Sequence, residues 1–201
     1  MTFTRLAIAP MAVTVLIMTA ALPSPAFGQP IRPEMETAIF NWTNTARQMQ
    51  SKVPLRYNER LANAALRHAA NMAMQDKMSH TLDDETVVDR ARRSLYFSPF
   101  VGENIAYNFG YQYPAWQLFD GWMKSPGHHA NIMNDQYTEI GVGVVGTHGG
   151  KYFACQVFGS PQPNAIPYVV PYAPVQTRTS PNWLSTPRPS DFHWYYIPSW
   201  N

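Results

Sequence analysis

Residues 137–159 read YTEIGVGVVGTHGGKYFACQVFG. The first part alternates: Thr138, Ile140, Val142 and Val144 fall on one face of an extended chain, and Glu139, Gly141 and Gly143 on the other. KYFACQVFG alternates as well, and THGG between the two has the residues of a turn. The stretch is therefore predicted to be a β-hairpin. It follows a run that reads as helical, and helices first with a hairpin last point to a layered α+β domain rather than a βαβ array.

The helices lie upstream. PEMETAIFNWTNTARQMQ (33–50) sets Met35, Ile39, Trp42, Ala46 and Met49 at helical spacing, with Pro33 suited to the first turn. ERLANAALRHAANMAMQ (59–75) is rich in helix formers, and its wide apolar face (Leu61, Ala64, Ala65, Leu66, Ala69, Met72) predicts a mostly buried helix. Asp83 and Asp84 place negative charge ahead of a third pattern carrying Val87, Val88, Ala91 and Leu95. A fourth starts near Pro114, carries Trp116, Phe119 and Trp122, and stops at Ser125-Pro126-Gly127; His128 and His129 then open another short helical stretch.

Both ends of the chain differ from this body. Residues 1–28, MTFTRLAIAPMAVTVLIMTAALPSPAFG, have the order of a secretory signal peptide: Arg5, an apolar run from Leu6 to Leu22, then prolines and small residues that suit cleavage before Gln29. A membrane anchor is the alternative, against which Pro10 interrupts the run. No membrane span is expected once the signal is cleaved. Residues 33–159 form the domain. The tail, 160–201, holds nine of the 18 prolines together with Tyr168, Tyr172, Trp183, Phe192, Trp194, Tyr195, Tyr196 and Trp200. Proline spacing favours extended chain, yet so many rings leave apolar surface exposed unless they dock, so part of the tail is expected to pack on the body or on a partner.

Composition narrows the function. The 15 Lys and Arg are scattered against 13 Asp and Glu, so nucleic acid is not an expected partner. Cys155 is the single cysteine; an exported chain with one thiol forms no internal disulfide, and packing alone must stabilise it. Cys155 shares a strand face with Phe153 and Val157, which reads as a small buried hydrophobe. HExxH, GxSxG, a phosphate-binding glycine loop and CxxC are all missing. What remains is dispersed: His80 in MSHT (78–81), Glu103 in VGENIA (101–106), His128 and His129 in GHHANI, and Glu139 at a strand start. Two imidazoles and a carboxylate could hold an open zinc site or hydrogen-bond into a neutral polar cluster, and spacing alone does not choose.

MSHT, VGENIAYN, GWMKSPGHHANIM (121–133), YTEIGVGVV and YFACQVFG occur in the order seen in bacterial CAP domains. These are also called SCP domains, relatives of the cysteine-rich secretory, antigen 5 and pathogenesis-related proteins. The resemblance covers about residues 36–159. It implies a three-layer α-β-α sandwich with a cleft lined by two histidines and acidic residues, which binds a divalent metal in some members. Motif by motif, the two histidines fall on His80 and His128 and the glutamate of the GEN motif on Glu103. A further acidic position of animal and plant relatives is Ser125 here, so the tetrad is incomplete; Glu139 is the candidate replacement, because the glycines on its face would leave room beside it. His129 stands where many bacterial relatives have arginine and reads as a surface or cap residue. Ser125 reads as a helix cap, and Trp122, Asn104 and Asn131 as structural; His68, His148 and His193 read as ordinary.

The expected function is that of a secreted, non-enzymatic binding module for a lipid, a cell-envelope component or an extracellular protein, located outside the cell or in the periplasm or envelope. The alternative is a metal-dependent hydrolase or peptidase. There, zinc or another divalent metal on His80 and His128 would activate water, with Glu103 as third ligand or general base; Ser125 as a nucleophile beside His128 is a variant of it.

Overall fold

The computed structural model describes residues 31–161. The expected leader and all but the first two residues of the tail lie outside them. In chain order the elements are α1 (Pro33–Met49), β1 (Arg56–Tyr57), α2 (Glu59–Gln75), α3 (Val87–Arg93), β2 (Val101–Phe109), α4 (Pro114–Lys124), α5 (Pro126–Met133), β3 (Glu139–Gly146) and β4 (Lys151–Gly159). The hairpin β3–β4 forms the middle of a four-stranded sheet of order β1-β3-β4-β2. β2 pairs antiparallel with β4, bringing Glu103 opposite Val157, while β1 adds two parallel residues to β3.

The sheet is covered on both sides, giving the three-layer α-β-α sandwich. On one face Leu61, Ala65, Ala69 and Met72 of α2 and Ala91 of α3 pack on Ile105, Phe153, Cys155 and Val157. On the other, Met35, Ile39 and Trp42 of α1 and Phe119 and Trp122 of α4 pack on Ile140, Val142, Val144, Ala154 and Phe158. Apolar burial supplies the main driving force for both layers, at roughly 25 cal/mol per Å² removed from water.

Several particulars differ from the sequence reading. β2 carries no strand signature, because Glu103, Asn104 and Asn108 place polar groups on both faces and hide the period of two. Ser125-Pro126-Gly127 does not only end α4; Pro126 already begins α5. The third helix starts at a capping box made by Thr86 and Asp89, while Asp83 and Asp84 occupy a left-handed turn before it (φ 53 and 58). Leu95, expected on that helix's inner face, lies beyond its end in a left-handed conformation and is exposed. The space beside Glu139 is also occupied. A Cβ on Gly141 would fall 1.9 Å from the Ala62 amide nitrogen, and one on Gly143 2.3 Å from that of Leu66. The glycines serve to bring the backbone of α2 onto β3, leaving no vacancy for a carboxylate.

Candidate functional site

Glu103, the third residue of β2, turns its carboxylate toward the α2–α3 layer, and its side chain is 2% exposed. Oε1 lies 2.8 Å from His80 Nδ1, and Oε2 accepts from Arg90 Nη2 at 2.5 Å and from the Cys155 thiol at 3.5 Å. His80 belongs to the loop after α2, and its side chain remains 59% exposed. Because Nδ1 is engaged with the carboxylate, Nε2 is the ring nitrogen left to act. A buried carboxylate on one nitrogen of an imidazole fixes both the ring orientation and its tautomer.

Two buried side chains hold this pair: His68, which the sequence reading took as ordinary, and Arg90, which it did not single out. Arg90, on α3, donates from Nη2 to the His80 carbonyl at 3.0 Å as well as to Glu103, and from Nη1 to the Glu85 carbonyl at 2.7 Å. His68, on α2, lies with Nε2 2.9 Å from the Ser79 carbonyl, so that nitrogen carries the proton and donates. The same nitrogen is 3.9 Å from Glu103 Oε1, and His68 Nδ1 is buried with no partner among the described residues. His80 is thus gripped at its own carbonyl, at the preceding carbonyl and at its ring. Both helpers left a signal: His68 lies three residues after Ala65 and four before Met72 on an apolar helix face, and Arg90 three after Val87. A polar residue at core spacing is anomalous unless it has a buried partner.

The ionisation pattern follows. Burial alone would raise the Glu103 pKa, but the His80 hydrogen bond and the Arg90 charge outweigh it and hold the carboxyl below its ordinary range. The hydrogen bond to Glu103 raises His80, against partial burial. Burial lowers His68 despite the nearby carboxylate, so it stays neutral. Burial pushes the Cys155 thiol well up, with the Glu103 charge adding to it; a thiol so protonated is a packing residue and a weak donor.

The second half of the site comes from the opposite layer. Asn104 follows Glu103 on the strand and points to the other face, where its Nδ2 donates to the His128 carbonyl (3.1 Å) and to Gln156 Oε1 (3.1 Å). Asn131 Nδ2 donates to Asn104 Oδ1 (2.9 Å) and to the Glu103 carbonyl (3.2 Å), and Gln156 Nε2 donates to Thr43 Oγ1 (2.8 Å). Buried Asn104 and Gln156, with half-buried Asn131, fasten α5 to β2 beside Glu103. The His128 pKa is lowered by partial burial first and by the charge of His80 second. β2 is an edge strand, so groups from both layers can meet along its open side.

The remaining candidates lie elsewhere. Glu139 is held at the start of β3 by Arg56 Nη2 (3.0 Å), Asn58 Nδ2 (2.9 Å) and the Tyr96 hydroxyl (3.0 Å); no hydrogen bond or ion pair among the described residues links it to His80 or His128, so it does not replace the absent acidic residue. Ser125 occupies the N-cap position of α5, but its side chain makes no capping bond and none to a histidine among the described residues. The His129 ring meets Gln50 at the surface, Nε2 to Nε2 at 3.4 Å.

Among the described residues no three His, Cys, Asp or Glu side chains gather to hold a metal ion. A site with Glu103 as third ligand does not fit this arrangement, since both of its oxygens are committed inside the protein. What the chain offers outward is the exposed His80 imidazole held by a buried carboxylate, with the half-buried His128 on the helix fastened to the same strand through its carbonyl.

Comparisons with known proteins agree with this fold. Two proteins of Bacillus subtilis (strain 168) are each 31% identical: the uncharacterized membrane protein YlbC over 115 residues, covering 57% of this chain and 32% of that one, and the uncharacterized protein YkwD over 136 residues, covering 62% and 47%. The chain therefore spans about a third to a half of the length of these relatives. Among solved structures, an extracellular protein containing an SCP domain from Bacillus anthracis str. Ames is 28% identical with a TM-score of 0.56, covering 63% of this chain and 40% of that one. An outer surface protein of Borrelia burgdorferi shares the fold at 18% identity, with a TM-score of 0.60 and coverage of 67% and 98%. Residues 40–158, more than half of the chain, match the cysteine-rich secretory protein (CAP) family, and the chain belongs to that family.

Proposed function

We propose that this CAP-domain protein is a secreted, non-enzymatic binding module that holds a lipid, a cell-envelope component or an extracellular protein at the open side of β2, with His80 and His128 as its polar contacts. One observation carries the reading: Glu103 is spent on orienting His80, with Arg90 closing the cluster from inside, so the site presents a fixed His80 imidazole while Glu103 has both oxygens engaged and Ser125 makes no bond to a histidine among the described residues. Secretion is supported by the leader-like residues 1–28 and by similarity to proteins described as extracellular and as an outer surface protein. A divalent ion bridging the two imidazoles would be an accessory to such binding, completing its shell from water or from the bound molecule.

The test compares the purified chain with a His80→Ala, His128→Ala variant. His128 is half-buried and its ring makes no hydrogen bond among the described residues, but removing the His80 ring leaves Glu103 Oε1 without its hydrogen bond, so the variant should lose about 1–3 kcal/mol and is compared well below its melting temperature. Native mass spectrometry after incubation with envelope extract, together with zinc titration, should show a bound species that the variant retains at least tenfold more weakly. Equal retention by both proteins would refute the reading.

The hydrolase is kept as a second reading because a buried carboxylate behind an exposed imidazole is also how a general base is oriented. A zinc ion on the pair would supply Lewis acidity and a more acidic water. Zinc-dependent turnover of labelled casein or ester substrates, lost in the same variant, would favour it over the module.

A further inference from the structure

The turn that follows α3 displays apolar side chains where a soluble domain has reason to hide them. Leu95 is 61% exposed, Phe97 55% and Phe100 49%. The turn is well built. The Tyr96 N–H donates to the Ala91 carbonyl (2.9 Å) and the Leu95 N–H to the Arg92 carbonyl (2.8 Å), the paired bonds of a Schellman ending, and Arg60 Nη1 donates to the Leu95 carbonyl (2.8 Å). Such an ending favours glycine at its left-handed position. Here that position is Leu95, φ 61, at a cost of about 1 kcal/mol relative to glycine. Tyr96 is buried beneath, its ring lying over Gly159, where an added Cβ would come within 2.6 Å of it. The patch is thus a firm platform carrying three apolar side chains, one of them in a backbone conformation that disfavours it.

The chain leaves the domain at this platform. Ser98 Oγ donates to the Ser160 carbonyl (2.5 Å), the Ser160 N–H donates to the Phe100 carbonyl (3.4 Å), and Ser160 Oγ bonds the Gln136 carbonyl on the other side. Residues 161–174, PQPNAIPYVVPYAP, then bring five prolines with Ile166, Tyr168, Val169, Val170 and Tyr172. Proline-rich chain is pre-extended, loses little entropy on docking, and binds surfaces lined by aromatic side chains. A tether this short also holds the segment at roughly millimolar effective concentration beside the patch. We propose that residues 161–174 of the tail dock on Leu95, Phe97 and Phe100. The inference is independent of what His80 and His128 bind.

The test is a pair of spin labels on the full chain, on Val170→Cys and on Asn41→Cys of α1; native Cys155 is fully buried and stays unlabelled. A proline-rich tether of ten residues reaches up to roughly 31 Å at about 3.1 Å per residue, and undocked it spreads the label over a distance range of that order. Docking should narrow the distance distribution to less than about half of that width. Phe97→Ser with Phe100→Ser should restore the free-chain width, and Leu95→Gly, which relieves the left-handed turn, should widen the distribution without lowering the melting temperature. A broad distribution in the unaltered patch, or a narrow one that survives Phe97→Ser with Phe100→Ser, overturns the proposal. So does a defined distance that disappears on tenfold dilution with unlabelled chain, since the tail would then be seated on a second copy.

Discussion

Replacing Arg90 by methionine isolates the support of the histidine pair. Arg90 and Glu103 expose 5% and 2% of their side chains and meet at 2.5 Å, so removing the cation leaves a buried carboxylate with only His80 and the weakly donating Cys155 thiol as hydrogen-bond partners. Breaking a buried pair from one side costs about 3–5 kcal/mol. At about 4 °C per kcal/mol for a domain of this size, Arg90→Met should lower the melting temperature at pH 7 by roughly 15 °C. Ionised Glu103 stabilises the fold above its unfolded pKa, and that contribution is lost as pH falls through the depressed folded value. The Arg90→Met deficit should therefore be largest near neutrality and shrink in acid, where a protonated Glu103 no longer needs the guanidinium. Adding Glu103→Gln removes the stranded charge and keeps an acceptor for His80, so the double variant should recover at least about 2 kcal/mol. Urea unfolding of the four proteins measures the cycle, and the ring signals of His80 report whether its raised pKa returns to the ordinary range once its anion is gone. A loss under about 1 kcal/mol in Arg90→Met, or no recovery in the double variant, would refute the claim that Arg90 neutralises Glu103.

Other outcomes follow from single contacts. Burial pushes the Glu36 pKa up to about 7 even though its carboxylate accepts from the Val144 N–H at 2.9 Å. Between about pH 4.5 and 7 the folded chain keeps a proton there that the unfolded chain has shed, so stability falls as pH rises through that window. Glu36→Gln should match the natural protein near pH 4.5 and exceed it by up to about 3 kcal/mol at pH 8 (2.5 pH units at 1.36 kcal/mol each); identical pH profiles in urea titrations would contradict this. Gly143→Ala sets a methyl 2.3 Å from the Leu66 amide nitrogen, on helix backbone that cannot give way, and should cost more than about 3 kcal/mol or prevent folding, whereas alanine at Gly121, which meets nothing within 4 Å, should be tolerated; soluble yield and thermal melts distinguish the two. Asn104→Ala strands Gln156 and frees the His128 carbonyl, so it should destabilise by about 1–3 kcal/mol and weaken any zinc affinity that depends on His128 while leaving the His80–Glu103 hydrogen bond intact by NMR.

The local sequence determined the periodic elements. The helices 33–49 and 59–75 and the strands around THGG were legible to within a residue or two, because each buries one continuous apolar face and needs no distant partner to be recognised. The motif order also carried His80, Glu103 and His128 into one family. Tertiary structure decided how they are used. β2 escaped the pattern because its polar residues serve opposite layers, Glu103 toward His80 and Asn104 toward the His128 carbonyl. Arg90 went unnoticed and His68 looked ordinary because their partners lie 13 and 11 residues away along the chain and are met only once α2, α3 and β2 pack. Glu139 looked available because glycines flank it, yet whether a glycine leaves space or admits a neighbouring backbone is set by what packs there, and here α2 fills it. Periodicity records which face of an element is buried, whereas the partner of a buried charge is fixed only when separate elements come into register.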